Sequence, residues 1–194
     1  MILTKGGFDI IRAQFGKLTV SQVQGFNFIV EQLDKAGWTY PQAAYALATV
    51  WHETAGTMQP IVERGSVAYF DKYDTGRLAK ALGNTPQKDG DGYKWRGRGY
   101  VQITGANNYS KLGSILRIPL SQDHDLALKP EVAIKILIVG MYDGLFTGKG
   151  YRNVQMRRYN LSDYKYARRI INGTDKATKI ANEAMVFERA LRSL

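Results

Sequence analysis

The sequence predicts a mainly helical fold with a short β element, and three observations predict it. Apolar residues recur at helical spacing in several stretches, helix-starting and helix-stopping residues bracket those stretches, and only one short segment, 101–104, alternates as a strand would. A chain of 194 residues can bury one sizeable core, and it shows no repeat, low-complexity tract or linker, so residues 1–194 read as a single domain.

Over 21–35, Val23, Phe26, Ile29, Val30 and Leu33 fall on one helical face, with Ser21 as N-cap and Gly37 just past the end. Thr39-Tyr40-Pro41 starts a second helix, because proline is pre-set for a first turn; Ala43, Ala44, Leu47, Ala48, Val50 and Trp51 make it alanine-rich and buried. Gly56 and Pro60 end it, the first by permitting a left-handed cap and the second by lacking a backbone donor. The middle region, 62–100, gathers Gly and Asp in GNTPQKDGDGYKWRGRG and reads as a long surface loop. After the strand at 101–104, a helix over 107–116 is stopped by Pro119. Pro130 begins a helix that is apolar on most sides (Val132, Ile134, Ile136, Leu137, Ile138, Met141) and therefore central. Two terminal helices follow. The first covers 162–171 and stops at Asn172-Gly173; the second, from about 175, carries Ile180, Ala184, Phe187 and Leu191 on one face.

Composition removes several classes of chemistry. There is no cysteine, hence no disulfide framework, thiolate metal site or cysteine nucleophile. His52 and His124 are the only histidines, too few for the usual catalytic zinc set, so neither a metal nor another cofactor is expected. The amino terminus has no secretory pattern, since Asp9 and Arg12 interrupt its apolar cluster, and no stretch approaches the roughly 20 apolar residues of a membrane span. Synthesis in a cytoplasm without a signal peptide is expected. A net charge of +10 asks for a polyanionic partner.

The chemistry concentrates in Trp51-His52-Glu53-Thr54-Ala55-Gly56 and in Glu63, ten positions after Glu53. Two carboxylates flanking a glycosidic bond can hydrolyse it, one protonating the leaving oxygen and the other activating water. On one continuous helix, ten residues would put them about 15 Å apart, beyond the roughly 6.5–9.5 Å of an inverting pair; the break at Gly56 and Pro60 lets the chain turn back. Glu53 lies in the last turn of its helix, where carbonyl ends and neighbouring Trp51 disfavour its charge, which suits a general acid. Glu63 is then the base. On spacing alone the bland alternative, a solvated Glu53 and a Glu63 paired with Arg64, is the commoner outcome. A zinc reading of His52-Glu53 fails because Gly56 stands where a second histidine is needed. His52 reads as a hydrogen-bonded structural histidine at the edge of the substrate site.

The segment GDGYKWRGRGYVQITGANNY, residues 90–109, follows that helix-end motif. Together the two resemble the bacterial and phage lysozymes of glycoside hydrolase family 19, the chitinase-like family, clearly over 43–108 and faintly to Ile170-Ile171-Asn172-Gly173 and beyond. The resemblance implies a lysozyme-like or chitinase-like helical domain with a substrate groove. It implies Glu53 as general acid, Glu63 as the carboxylate activating water, and Thr104 as the hydroxyl that helps hold that water. It places Gln102, Asn108 and Asn172 on sugar-binding positions and Tyr109 in the same groove, with Arg98 and Gly99 as scaffold. Ala55 replaces the usual glycine, and one extra residue separates the glutamates compared with many bacterial relatives; Asp71 and Asp74 are the nearest substitutes should Glu63 not be the base.

In this context peptidoglycan is the expected partner, and a globular endolysin of phages of Gram-negative hosts, with no separate wall-binding module, is the expected type. Such a protein would be monomeric and act in the periplasm, reached through a holin. Chitin on the same scaffold, a lytic transglycosylase and a basic nucleic-acid-binding domain are the alternatives; the last leaves Glu-Thr-x-Gly and Gln-x-Thr without a task, so no nucleic acid is expected. From Arg152 onward ten Lys or Arg face four acidic residues, +6 of the +10. Such basic helices could touch anionic outer-membrane lipid, although a stripe of Ile180, Ala184, Phe187 and Leu191 fits a core face better.

Overall fold

The computed structural model describes residues 1–154 and 160–193; Arg157 and Arg158 of the basic set, and Leu194, lie outside the described residues. The fold is mostly helical with one two-stranded sheet. Where the sequence reads as one domain, the backbone packs as two compact units, Pro60–Ile136 being inserted in a unit made of Met1–Gln59 and Leu137–Leu194.

The first unit opens with α1 (Lys5–Phe15), which the sequence reading left out. Thr4 caps it by accepting from Gly7 N–H at 3.1 Å, and Phe8 and Ile11 are buried as it packs on the last helix. Helix α2 (Val20–Lys35) starts one residue before the expected cap, because Thr19 and Gln22 form a capping box. Helix α3 (Tyr40–Glu53) has its own box at Thr39 and Gln42, and its segment from Ala43 to Val50 is buried. It ends as the sequence requires: Gly56 takes a φ of +77° and its N–H reaches Trp51 O at 2.7 Å.

The inserted unit begins with β1 (Ile61–Val62) and then departs from the expected loop. Two short helices, α4 (Val67–Asp74) and α5 (Gly76–Leu82), precede the Gly/Asp stretch, within which α6 (Asp91–Lys94) forms. Each has eight residues or fewer, a length that does not persist without tertiary contacts; α4 packs on both α5 and α6, and Phe70, Asp74 and Ala79 are buried.

Asp74 clasps the loop beyond by accepting from Gly90 N–H at 3.0 Å and from Gly92 N–H, and Asp71 pairs with Lys88 at 2.6 Å. Both substitutes for Glu63 therefore have structural partners. The strand expected at 101–104 is also corrected. The ladder is β1 with β2 (Arg98–Gly99), antiparallel, Ile61 opposite Gly99 and Val62 opposite Arg98. Of 101–104 only Ile103 pairs, in a single bridge to Arg98, because Gln102 adopts a φ of +51° that no extended strand allows. Helix α7 (Ala106–Leu116) and a 3₁₀ turn (His124–Leu128) complete the unit.

Helix α8 (Pro130–Asp143) starts where expected and is buried at Val132, Ile134, Ile136, Leu137 and Met141; from Leu137 it counts with the first unit. Helix α9 (Leu161–Ala167) is shorter than expected, its last turn tightening into a 3₁₀ segment (Arg168–Ile170). Helix α10 (Ala177–Leu191) packs on α1, α3 and α9. Ile180, Ala184, Phe187 and Leu191 are all buried, so the apolar stripe belongs to the core and is not a lipid-facing surface. Phe187 stacks on Phe15 at 5.2 Å and lies 5.6 Å from Phe26, the centre of the unit's aromatic cluster. No helix among the described residues is long and apolar enough to cross a membrane.

Candidate active site

In the first unit, α3 delivers His52 and Glu53 on its last turn. The Glu53 side chain is 21% exposed, and burial raises its pKa above the ordinary carboxylate value. Arg168 opposes that shift. Its guanidinium, 2% exposed, stands 3.4 Å from Glu53 Oε1 and donates from Nε to Asp175 O at 2.9 Å. His52 is half-buried, and its pKa is lowered by burial first and then by Arg168, Lys176 and Lys179. It is therefore a neutral imidazole near neutral pH. Asn172 is exposed just after the 3₁₀ segment; its N–H donates to Arg168 O at 2.9 Å, which ties it to the residue that reaches Glu53.

In the inserted unit, Glu63 follows β1 directly and its N–H donates to Gly97 O at 2.8 Å. Its carboxylate accepts from Tyr73 Oη at 3.2 Å and from Gly97 N–H at 3.2 Å, so its partners are these two donors and not Arg64. Gln102 gives its amide N–H₂ to Ile61 O at 2.9 Å and Gly99 O at 3.1 Å, which fixes Oε1 as the free end. Thr104 donates to Gln102 O at 3.0 Å, and Asn108 donates to Thr104 O at 2.8 Å.

These groups converge on Gly97. A Cβ placed there would lie 2.8 Å from Gln102 Oε1, 3.2 Å from Glu63 Oε2 and 3.3 Å from Thr104 Oγ1. Three side-chain oxygens thus crowd over one glycine, a geometry that only a missing side chain permits. Nothing in composition or spacing marked Gly97 or Tyr73 for these positions. Arg168 did leave a signal: with Leu161, Tyr164 and Ile171 it falls at helical spacing on the apolar stripe, where a cation needs a buried partner.

Tyr109 is corrected. It is fully buried, its hydroxyl donates to Arg96 O at 2.9 Å and accepts from Arg98 at 3.1 Å, and burial pushes its pKa up to about 12. It serves the scaffold with Arg98, which is 1% exposed and paired with Asp125 at 2.7 Å, and it lines no groove. Among the described residues, no group of three or more His, Cys, Asp or Glu side chains is placed to hold a metal.

No family model matches the sequence. Chitinase C from Streptomyces griseus overlays 97% of this chain and 76% of its own with a TM-score of 0.63 at 20% identity. A second solved structure, described as a bacterial family 19 chitinase, covers 100% of this chain and 97% of its own with a TM-score of 0.58 at 20% identity. The chain has the family 19 chitinase fold. A Haemophilus influenzae protein named as containing a glycosyl hydrolase family 19 domain is 29% identical over 207 residues, spanning 92% of this chain and 97% of that one. The resemblance to family 19 first carried by two motifs thus runs along nearly the whole chain.

Proposed function

We propose that this chain is a glycoside hydrolase that cuts the glycan strands of peptidoglycan, an endolysin of the lysozyme (N-acetylmuramidase) type. The observation that carries the hydrolase reading is Glu53, a helix-end carboxyl whose pKa is raised by burial, which favours the form that carries a proton, in a chain with the family 19 fold. In this reading Glu53 gives that proton to the glycosidic oxygen as its bond to the anomeric carbon breaks. Glu63 takes a proton from the water that adds to the opposite face, so the configuration inverts. The acceptor oxygens of Glu63 and Thr104 suit such a water, because its two protons can point at them while a lone pair stays available for attack. Gln102, Asn108, Asn172 and His52 supply the mixed donors and acceptors that N-acetyl sugars require.

The charge of +10 favours peptidoglycan, whose stem peptides carry carboxylates, over neutral chitin. Chitin hydrolysis is the second reading, favoured by the two chitinase structures that share the fold. As an endolysin, the protein acts in the periplasm after release from the host cytoplasm by a holin. Purified sacculi and colloidal chitin, digested side by side and read by turbidity and mass spectrometry, test both. Clearing of sacculi with reducing-end products is expected. Anhydro-muramic ends would replace hydrolysis with transglycosylation, and activity on chitin alone would overturn the choice of polymer.

A further inference from the structure

Resting on the peptidoglycan reading, we infer that a cationic hollow in the first unit binds a carboxylate of the stem peptide carried by the glycan strand. The hollow has a volume of about 420 Å³ and is lined by Thr147, Lys149, Arg169, Asn172, Gly173 and Thr174. Its walls are tied together by one hydroxyl. Thr147 Oγ1 donates to the carbonyls of Arg169 and Ile170 and accepts from Lys149 N–H at 3.3 Å, so the two cation-bearing segments are fixed to each other. Arg169 is further held with its guanidinium 4.8 Å from the centre of the Tyr166 ring.

The lining matches a carboxylate. Lys149 and Arg169 are exposed, and neither forms an ion pair among the described residues. Asn172 turns its Oδ1 to Gly173 N–H at 2.8 Å, which leaves its amide N–H₂ as a donor for a ligand. Two cations and an amide donor are what a carboxylate accepts from most strongly. The position matters as well, because the backbone of Asn172 is bonded to Arg168 and Arg168 reaches Glu53. A strand held at the acid would therefore carry its peptide past this hollow. The burial of the α10 apolar stripe disfavours a lipid surface as the occupant.

Calorimetric titration of the full chain tests the site with three ligands: a disaccharide tetrapeptide with free carboxylates, the same compound with its carboxylates amidated, and the peptide-free disaccharide. The first is expected to bind about tenfold more tightly than the other two. The Lys149→Ala/Arg169→Ala double variant is expected to lose that preference, and Lys149→Arg/Arg169→Lys to keep most of it. No preference in the wild type, or an undiminished one in the double alanine variant, overturns the proposal. So does a double variant that loses binding to phosphatidylglycerol vesicles while retaining the peptide preference, which would make the surface a lipid site. Sacculus hydrolysis is read separately: preference without hydrolysis supports the site and removes the proposed function, whereas hydrolysis without preference does the reverse.

Discussion

Around Glu53 the partner is a buried guanidinium, and the carboxyl sits at the carbonyl end of a fourteen-residue helix. Around Glu63 the partners are neutral, a tyrosine hydroxyl and a backbone N–H, and the carboxyl follows a two-residue strand. The first setting raises the carboxyl's pKa by burial while a nearby cation opposes the rise. The second presents a carboxylate among oxygens that can hold a water. Two identical side chains thus meet opposite surroundings, which suits the opposite tasks proposed for them.

The strongest test removes each carboxyl without changing its shape. Glu53→Gln should fold normally, by circular dichroism, and lower kcat on sacculi by about 10²–10⁴-fold, the usual contribution of a general acid. Glu63→Gln should be as severe or somewhat milder, and comparable wild-type rates in either folded variant would remove the role assigned to it. Gly97→Ala probes the second setting through space alone: its methyl would meet Gln102, Glu63 and Thr104 oxygens at 3.3 Å or less, and kcat should fall about tenfold with far-ultraviolet structure retained.

Arg168→Gln sharpens the first setting. Removing the cation that lowers the Glu53 pKa should move the alkaline limb of the pH–rate profile to higher pH, since the acid then keeps its proton longer. A limb that stays in place or moves down would separate Arg168 from the acid's titration. Tyr73→Phe should have the smallest effect, a loss of a few-fold in kcat from one neutral hydrogen bond worth about 1 kcal/mol, measured in the same turbidity assay.

Much of the helical frame was legible in the sequence. Periodicity and caps located α2, α3, α7, α8 and α10 to within a few residues, because each carries its own apolar face or start signal. Helices α4 and α5 were not legible, being short and held by packing more than by their own pattern, whereas α1 was missed although Thr4 caps it and Phe8 and Ile11 mark its buried face. The strand at 101–104 misled because apolar alternation does not report the left-handed backbone at Gln102.

For the site, the sequence by itself determined which residues are the candidates for the chemistry, since the residue types and their order within two motifs can be read without coordinates. Only the tertiary structure decided their surroundings: that Arg168 lies against Glu53, that Gly97 leaves room for three oxygens, and that Tyr109 is interior. The physical reason is that burial and hydrogen-bond partners arise from segments far apart in the chain, as Glu53 and Arg168 are, and local spacing carries no record of which of them will meet.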